Sequence, residues 1–273
     1  MRRAPARGSV VTSVLEAIVR DLPWHLSRPI AHRGLHGGPD GPPENSMAAF
    51  RRAAAHGVPF ELDVQLTRDG ALAVVHDAAV RLPSGHDRPV TSLTLGDLRA
   101  VASSVPGAAL PVTLAEVFAA VAGRVPVMVD VRRWGLAGAG GLERAVTRAV
   151  RRYDGPVAVQ SFDPRTVFRL RRALPGVPVG QIAGALRSAP PVLRQAGRSM
   201  ATNAVCRPGF LSFELDALPS RALRFWQRRG LPVIGWTVHS PEQERAARES
   251  VTNVFFSGYL PSAYASHPPS PAR

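Results

Sequence analysis

Apolar runs of strand length alternate with amphipathic stretches along most of the chain. A short continuous apolar run is typical of a strand buried on both faces, and apolar residues three or four apart are typical of a helix. This alternation indicates a parallel sheet whose strands are connected by helices. Strands are predicted at 29–32, 60–63, 125–131, 157–161, 177–182, 202–206, 233–237 and 253–256. Helices are predicted at 46–56, 113–121, 141–153, 164–173, 217–229 and 241–249.

The segment 60–76 contains the sequence signal of a β-hairpin. Asp69-Gly70 favours a type I′ turn, because both central residues of that turn need a positive φ angle. A two-residue loop sets a register in which Asp63 lies opposite His76. A longer loop shifts the register by one residue and sends His76 to the other face, so both registers stay open.

A hairpin at this point leaves eight strands for a barrel. If 72–76 returns antiparallel, the remaining strands form an α/β fold of the (β/α)8 TIM barrel type, for which 273 residues are enough. The interval 77–109 is expected to hold a loop and a helix at 95–101, as a reduced insertion after the second strand. The predicted units are an N-terminal extension at 1–28, the barrel at 29–262 and a Pro-rich disordered tail at 263–273.

Two carboxylates share one face of the second strand. Side chains alternate along a strand, so Glu61 and Asp63 point the same way, about 7 Å apart. Like charges at this distance repel each other unless a cation or a basic group lies between them. Alternation in the next barrel strand places Asp130 and Arg132 on one face at the same mouth. Three carboxylates form an oxygen-only set that suits Mg²⁺ or Ca²⁺ better than zinc.

Titratable and basic groups also end the first strand. His32-Arg33 lies directly before a glycine, so the strand presents an imidazole and a guanidinium at its mouth, and a guanidinium suits a phosphate. Glu44 precedes a helix cap at Asn45-Ser46 and is able to reach back over the strand mouth. Glu44 then either supports a metal site or accepts hydrogen bonds from the backbone at the helix start.

Four motifs lie in order between residues 32 and 77: H-R-G, P-E-N-S, E-L-D-V-Q-L-T-R-D-G and V-V-H-D. In this order and at these distances they resemble the glycerophosphodiester phosphodiesterase family. The likeness continues through L-P-V-T-L-A-E-V-F, V-P-V-M-V-D-V-R, V-Q-S-F and G-W-T-V, and it covers residues 29–258.

The resemblance implies metal-dependent hydrolysis of a glycerophosphodiester to an alcohol and glycerol 3-phosphate. It implies that His32 and His76 form an acid–base pair, in which one deprotonates the attacking hydroxyl and the other protonates the departing alcohol. The expected substrate-binding residues are Arg33, Arg132 and Trp236. The expected metal-binding residues, for Mg²⁺ or Ca²⁺, are Glu61, Asp63, Asp130 and Glu44.

One motif departs from the family pattern. Most relatives are expected to carry Glu at the position of Asp130, whereas D-V-R here resembles the D-x-K of the sphingomyelinase D branch of the same superfamily. The alternatives are therefore a lysophospholipase D or sphingomyelinase D-like phosphodiesterase, and an inactive barrel that binds anionic phosphoesters. P-E-N-S favours the glycerophosphodiester function, and D-V-R with the reduced insertion favours a lipid substrate.

Arginine supplies all 34 basic residues, and the formal net charge is +14. A basic surface favours anionic ligands, which include phosphodiesters and acidic lipid headgroups. The arginines are scattered along the predicted helices. The expected partners are therefore a small-molecule phosphodiester and, transiently, anionic lipid, but no nucleic acid. The oligomeric state stays open.

The sequence predicts a cytoplasmic protein. The single cysteine, Cys206, has no partner for an internal disulfide and is expected to pack as a small buried hydrophobe. Charged residues interrupt the apolar stretch 10–22, and no apolar run approaches the length of a membrane span. Residues 11–20 are expected to form a short amphipathic helix, for which packing on the barrel is favoured over a role as a membrane anchor.

Overall fold

The computed structural model of the chain describes residues 23–38, 41–134, 140–185, 197 and 199–265. The strands of these residues are β1 (Ile30–Ala31), β2 (Phe60–Leu66), β3 (Leu72–Val74), β4 (Ala79–Arg81), β5 (Asp87–Pro89), β6 (Val127–Val131), β7 (Val157–Ser161), β8 (Val179–Ala183), β9 (Phe210–Glu214), β10 (Val233–Val238) and β11 (Asn253–Phe256). The helices are α1 (Trp24–Ser27), α2 (Met47–Ala55), α3 (Leu95–Ser103), α4 (Leu114–Val121), α5 (Gly141–Arg151), α6 (Pro164–Ala173), α7 (Asn203–Cys206), α8 (Arg221–Gln227) and α9 (Pro241–Arg248).

Eight of the strands form a closed parallel barrel. They are adjacent in the order β1, β2, β6, β7, β8, β9, β10 and β11, and β1 pairs with both β2 and β11, which closes the barrel. Helices follow the strands on the outside, and the predicted (β/α)8 TIM barrel is confirmed. β3 pairs antiparallel with β2, as the hairpin prediction requires.

The inside of the barrel is apolar toward the amino ends of the strands. Six buried side chains pack together there: Ile30, Met128, Ala158, Phe210, Ile234 and Phe255. Trp24 and Leu26 of α1 pack against this layer, and the Asn253 amide donates to the carbonyls of His25 and Arg28 at 3.0 and 2.7 Å. α1 therefore covers the amino end of the barrel. Polar interior positions lie above the apolar layer, toward the carboxyl ends where barrel chemistry collects.

The sixth barrel strand lies later in the chain than predicted. Residues 202–206 were expected to form a strand, but the structure has the short helix α7 there, and β9 follows it. The prediction was wrong because a short apolar run does not distinguish a strand from a buried helix. Arg207 takes φ +45°, and the Gly209 amide then donates to the carbonyl of Val179 at 2.8 Å as the chain enters the sheet. Cys206 is buried and free, as predicted.

The hairpin between β2 and β3 has a three-residue loop instead of a two-residue turn. The amide of Thr67 donates to the carbonyl of Ala71 at 2.9 Å, and the Ala71 amide donates back to Oγ1 of Thr67 at 3.0 Å. The register is shifted by one residue, so Val75 lies opposite Asp63 and donates to its carbonyl at 3.1 Å. Of the two registers that the sequence left open, the structure has the one for the longer loop, and the pairing of Asp63 with His76 was wrong. The strand ends before His76.

The insertion after the second barrel strand contains more structure than predicted. β4 and β5 form a two-stranded antiparallel hairpin that the sequence analysis missed. The helix predicted at 95–101 is present as α3, which begins at a capping box formed by Thr94 and Asp97. The Asp69 carboxylate accepts the amide of Leu95 at 3.2 Å, which attaches the insertion to the turn of the β2–β3 hairpin.

The barrel packing continues past the predicted boundary at residue 262. Tyr264 is buried, and its hydroxyl donates to the carbonyl of Pro29. Residues 1–22 and 266–273 lie outside the described residues, and so does the predicted helix at 11–20. Each helix in the described part of the chain is too short or too polar to span a bilayer.

Candidate active site

Three buried carboxylates meet toward the carboxyl ends of β2 and β6. Asp63 lies beside Asp130 in the register of the two strands, and Glu61 lies two residues earlier on the same face of β2. A carboxylate oxygen of each residue lies within 4.8 Å of the others. The three residues are at most 3% exposed. The structure thus brings together the three carboxylates that the sequence pattern placed on one face.

The protonation of this cluster depends on its neighbours. Burial raises the pKa of Glu61 well above its ordinary value, and the charges of Asp63 and Asp130 raise it further. Burial raises the pKa of Asp130 to about 7, against the lowering effect of Arg132. Burial acts in the same direction on Asp63, but Arg132 and Arg33 outweigh it and bring the pKa of Asp63 below its ordinary value. The arginines therefore keep Asp63 ionised. They do not offset the effect of burial on Glu61 and Asp130, whose pKa values stay raised.

The donor set fits a divalent cation. All its donors are carboxylate oxygens, which Mg²⁺ and Ca²⁺ prefer to nitrogen or sulfur. Oδ1 of Asp130 is buried and has no hydrogen-bond partner among the described residues. A buried polar atom without a partner is unfavourable. A cation in the cluster would satisfy this oxygen and offset the mutual repulsion of the three carboxylates.

Arg33 links the end of β1 to the acidic cluster. It lies in the left-handed region at φ +56°, and Gly34 follows at φ +84°, where a Cβ atom would lie 2.8 Å from that of Ala49. This turn points the amide of Arg33 at Oε2 of Glu61, at 2.9 Å. It also brings Nε of Arg33 within 3.4 Å of Oδ2 of Asp63. H-R-G is therefore a tight turn that needs its glycine and delivers a guanidinium to the cluster.

Glu44 lies apart from the three clustered carboxylates. Its side chain is half exposed, and its Oε1 accepts a hydrogen bond from Nη1 of Arg33 at 2.6 Å. The sequence predicted Glu44 as a metal-binding residue or, alternatively, as an acceptor of backbone hydrogen bonds at the helix start. In this geometry Glu44 holds the Arg33 guanidinium in place.

Asn45 is a site residue that the sequence indicated only as part of a helix cap. Its φ is +52°, its Nδ2 donates to Oδ2 of Asp63 at 2.9 Å, and its amide donates to the carbonyl of Arg33 at 3.0 Å. The cap of α2 is Ser46, whose Oγ accepts the amide of Ala49 at 3.2 Å. The residue type carried a signal, because asparagine tolerates a positive φ and has an N–H for a carboxylate.

Arg132 lies between the carboxylates and an aromatic wall. Its Nη1 lies 3.1 Å from Oδ2 of Asp130 and 3.4 Å from Oδ1 of Asp63. The guanidinium carbon lies 5.3 Å from the ring centroid of Phe162 and 5.1 Å from that of Trp134. The ion pairs and the cation–π contacts together hold the guanidinium at the barrel mouth.

Trp236 extends this wall. It lies near the carboxyl end of β10, half-buried, and meets Phe162 edge to face with ring centroids 6.2 Å apart. Its Nε1 is buried, with no hydrogen-bond partner in the part of the chain that the structure describes. The predicted substrate-binding residues Arg132 and Trp236 therefore both contact Phe162.

Both predicted catalytic histidines lie at this mouth. Burial, and then the charge of Arg33, lower the pKa of His32 to about 3, so its imidazole is neutral. His76 directly follows Val75, whose amide donates to the carbonyl of Asp63 at 3.1 Å, and the charge of His76 lowers the pKa of both His32 and Asp63. Nδ1 of His76 lies 2.8 Å from Oδ1 of Asp77, a neighbour to which the sequence analysis gave no role.

Fold and site together define a class: a (β/α)8 barrel enzyme with an acidic centre for a divalent cation and guanidinium groups for an anion. Residues 32–256 match the model of the glycerophosphoryl diester phosphodiesterase family. The chain belongs to this family, as its four ordered motifs had indicated.

Individual relatives agree with this assignment. A glycerophosphodiester phosphodiesterase of Caldanaerobacter subterraneus subsp. tengcongensis is 31% identical in an alignment of 161 positions. The alignment covers 55% of this chain and 64% of that relative, so the chain spans less than two thirds of the relative's length. Solved structures of a glycerophosphodiester phosphodiesterase from Thermotoga maritima and a phosphodiesterase from Oleispira antarctica share the fold, with TM-scores of 0.61 and 0.64 at 22% and 18% identity. The alignments cover 83% and 84% of this chain, respectively, and 92% of the other chain in both cases. The Oleispira structure holds the product sn-glycerol-3-phosphate.

Proposed function

We propose that this chain is a metal-dependent phosphodiesterase that hydrolyses glycerophosphodiesters to an alcohol and glycerol 3-phosphate. The observation that carries the proposal is the convergence of three buried carboxylates, two histidines and two arginines at one barrel mouth. Membership of the family and the product bound by the Oleispira relative support the same substrate class.

Arg33 and Arg132 bind the phosphodiester anion. A phosphodiester carries a negative charge that repels nucleophiles, and guanidinium groups offset that charge with directed hydrogen bonds. Both guanidinium groups lie within 3.4 Å of Asp63, so an anion bound beside the cluster meets both of them. Trp236 and Phe162 offer an apolar surface next to Arg132, on which the glycerol or the headgroup packs.

Glu61, Asp63 and Asp130 hold the divalent cation, Mg²⁺ or Ca²⁺. A cation bound there would supply positive charge to the phosphate and would make the phosphorus more electrophilic. The amide of Asn45 orients Asp63, and the backbone N–H of Arg33 orients Glu61. The carboxylates are therefore arranged by neighbouring hydrogen bonds before a cation arrives.

His32 and His76 move the protons. One imidazole takes the proton of the attacking hydroxyl, and the other gives a proton to the oxygen of the departing alcohol. His32 is neutral at physiological pH, and Asp77 orients the ring of His76. If the attacking hydroxyl belongs to the glycerol of the substrate, a cyclic phosphate forms first and water then opens it.

A lysophospholipid or sphingolipid is the second candidate substrate. The observation that favours it is the ion pair of Asp130 with Arg132, in which Oδ2 and Nη1 are 3.1 Å apart. This pair resembles the D-x-K pair of the sphingomyelinase D branch. The chemistry at phosphorus is the same for both classes. The two classes differ in the part of the substrate beyond the phosphate: a glycerophosphodiester carries bare glycerol, a lysophospholipid an acylated glycerol, and a sphingolipid a sphingoid base instead of glycerol.

Steady-state assays with glycerophosphocholine and with lysophosphatidylcholine test the proposal. Each substrate is assayed with Mg²⁺, with Ca²⁺ and with a chelator, and phosphorus NMR identifies the products, including a cyclic phosphate. We expect metal-dependent release of choline and glycerol 3-phosphate from glycerophosphocholine. Turnover of lysophosphatidylcholine alone would support the second candidate. Turnover of neither substrate, with phosphoester binding retained, would identify an inactive binding barrel.

A further inference from the structure

Gln65 is a buried side chain on β2 to which the proposed reaction gives no role. It lies on the same face of the strand as Asp63 and is 0% exposed. Its Nε2 donates to the carbonyl oxygens of Val75 at 2.9 Å and Asp77 at 2.7 Å, and it lies 3.3 Å from the carbonyl oxygen of His76. One amide nitrogen thus contacts three successive carbonyl groups.

These contacts lie where the β2–β3 ladder ends. Val75 donates its amide to the carbonyl of Asp63 at 3.1 Å, and the next residue, His76, is outside the strand. In this register a strand that continued would send His76 to the face opposite Asp63. The backbone instead curls around the amide of Gln65, and His76 lies at the barrel mouth with Asp77 against its Nδ1. Because the backbone leaves the strand here, His76 is at the barrel mouth although the register set by the three-residue loop would point it to the other face.

We propose that Gln65 is a positioning residue that sets the direction of the His76 side chain through the backbone. The inference rests on the proposed function, in which His76 transfers a proton. A primary amide has two N–H groups, and the carbonyls of Val75 and Asp77, on either side of His76, accept both. Breaking either bond leaves a buried polar group unpaired, which is unfavourable. The backbone of His76 is therefore held from both sides.

Gln65→Met tests the inference, because methionine has a similar volume and shape but no N–H group. We expect kcat for glycerophosphocholine to fall about 10- to 100-fold, since a misplacement of about 1 Å is enough to slow a reaction on this scale. KM and the affinity for Mg²⁺ are expected to change less than about twofold. Gln227→Met is the matched control, because it removes one amide-to-carbonyl bond, to Ser250, on the outside of the barrel.

The same substitution in a His76→Ala background distinguishes positioning from a general structural role. If Gln65 acts through His76, Gln65→Met lowers kcat in the native chain but changes the residual kcat of His76→Ala less than about twofold. An equally large loss in both backgrounds would overturn the inference, and so would native kcat in Gln65→Met. If His76→Ala itself keeps native kcat, the proposed function of His76 fails, which is a separate outcome.

Thermal unfolding establishes whether Gln65→Met is folded at the assay temperature. If it is not, Gln65→Asn takes its place, because asparagine keeps the amide and shortens the side chain by one methylene. The expected pattern is the same, with a smaller decrease in kcat that again disappears in the His76→Ala background. A decrease that persists in that background overturns the inference for this variant too.

Discussion

Nδ1 of His76 lies 2.8 Å from Oδ1 of Asp77. In a neutral imidazole one ring nitrogen carries the proton, and the other is able to accept one. A carboxylate beside Nδ1 favours the proton on that nitrogen and leaves Nε2 as the nitrogen that exchanges a proton with substrate. The side chain of Asp77 is 80% exposed, so solvent weakens this preference.

Asp77→Asn is therefore expected to lower kcat about tenfold, which is less than the loss expected from His76→Ala. The asparagine amide has a similar shape but lacks the negative charge that favours a proton on Nδ1, and its N–H group is able to donate to Nδ1 in the wrong tautomer. Steady-state kinetics with glycerophosphocholine measure the effect. Asp87→Asn is the control, because Asp87 pairs with Arg81 in the β4–β5 hairpin. Equal kcat in the two variants would show that Asp77 does not orient the imidazole.

Mg²⁺ or Ca²⁺ is expected to stabilise the folded chain, because three buried carboxylates repel one another without it. A cation that binds only the folded chain adds about 2.7 kcal/mol to the free energy of unfolding at a hundred times its Kd. We expect Tm to rise with added metal and to fall with chelator. Asp63→Ala is expected to abolish both this shift and turnover, since Asp63 is the carboxylate that the arginines keep ionised.

His32→Ala and His76→Ala are the matched variants for this experiment. Neither imidazole belongs to the set of three carboxylates, so both variants are expected to keep only a small residual turnover while metal affinity is largely retained. Calorimetric titration of the native chain and the three variants with metal measures the affinities. Native affinity in Asp63→Ala would contradict the assignment of the cluster as the metal site.

The carboxylate cluster could be predicted from the sequence because alternation along a strand is a local rule. Glu61 and Asp63 share a face in any strand, and Asp130 joins them through the parallel register of the neighbouring strand. The hairpin register depends on loop length, which the Asp-Gly signal alone did not determine. Here the side chain of Thr67 accepts the amide of Ala71, which favours the three-residue loop.

Contacts between distant segments could not be predicted in the same way. Asn45 and Asp63 are 18 residues apart, and the local pattern around Asn45 is that of a helix cap. Gln65 occupies an ordinary polar strand position, and its carbonyl partners lie beyond the hairpin. The position of β9 was predicted wrongly for the opposite reason. A local pattern, the short apolar run at 202–206, was interpreted as a strand, although such a run also fits a buried helix.

A buried ion-pair network joins the segment directly after β6 to α5 and α6. The carboxylate of Glu143 is 3% exposed and accepts hydrogen bonds from Nη2 of Arg133, at 2.7 and 2.6 Å, and from Oγ1 of Thr166, at 2.9 Å. Glu143→Ala is expected to lower the free energy of unfolding by about 3 kcal/mol, because the buried guanidinium of Arg133 loses this carboxylate. Urea denaturation measures the change.

Glu242→Ala is the control for this prediction. The pair of Glu242 with Arg245 is exposed to solvent, and exposed ion pairs contribute little to stability, so the free energy of unfolding is expected to stay unchanged. A similar small effect for Glu143→Ala would mean that the network does not hold the end of β6 against the helices.

His25 is expected to give the stability of the fold a defined pH dependence. Its imidazole contacts the rings of Trp24 and Phe210, at centroid distances of 5.6 and 5.1 Å, and burial lowers its pKa from about 6.5 to about 4. The unfolded chain therefore takes up a proton at a higher pH than the folded chain. The stability that neutral His25 contributes is complete above pH 6.5 and is lost as the pH falls toward 4.

His25→Leu removes this dependence, because leucine does not titrate. Between pH 7.5 and pH 5 the native chain is expected to lose about 2 kcal/mol more of its free energy of unfolding than the variant does. Urea denaturation at the two pH values measures the difference, in which the other titrating groups cancel because both chains carry them. His86→Leu, at an exposed position in the insertion, is expected to keep the native dependence. If the native chain and His25→Leu lose the same amount, folding does not lower the pKa of His25, and α1 does not seal the amino end of the barrel.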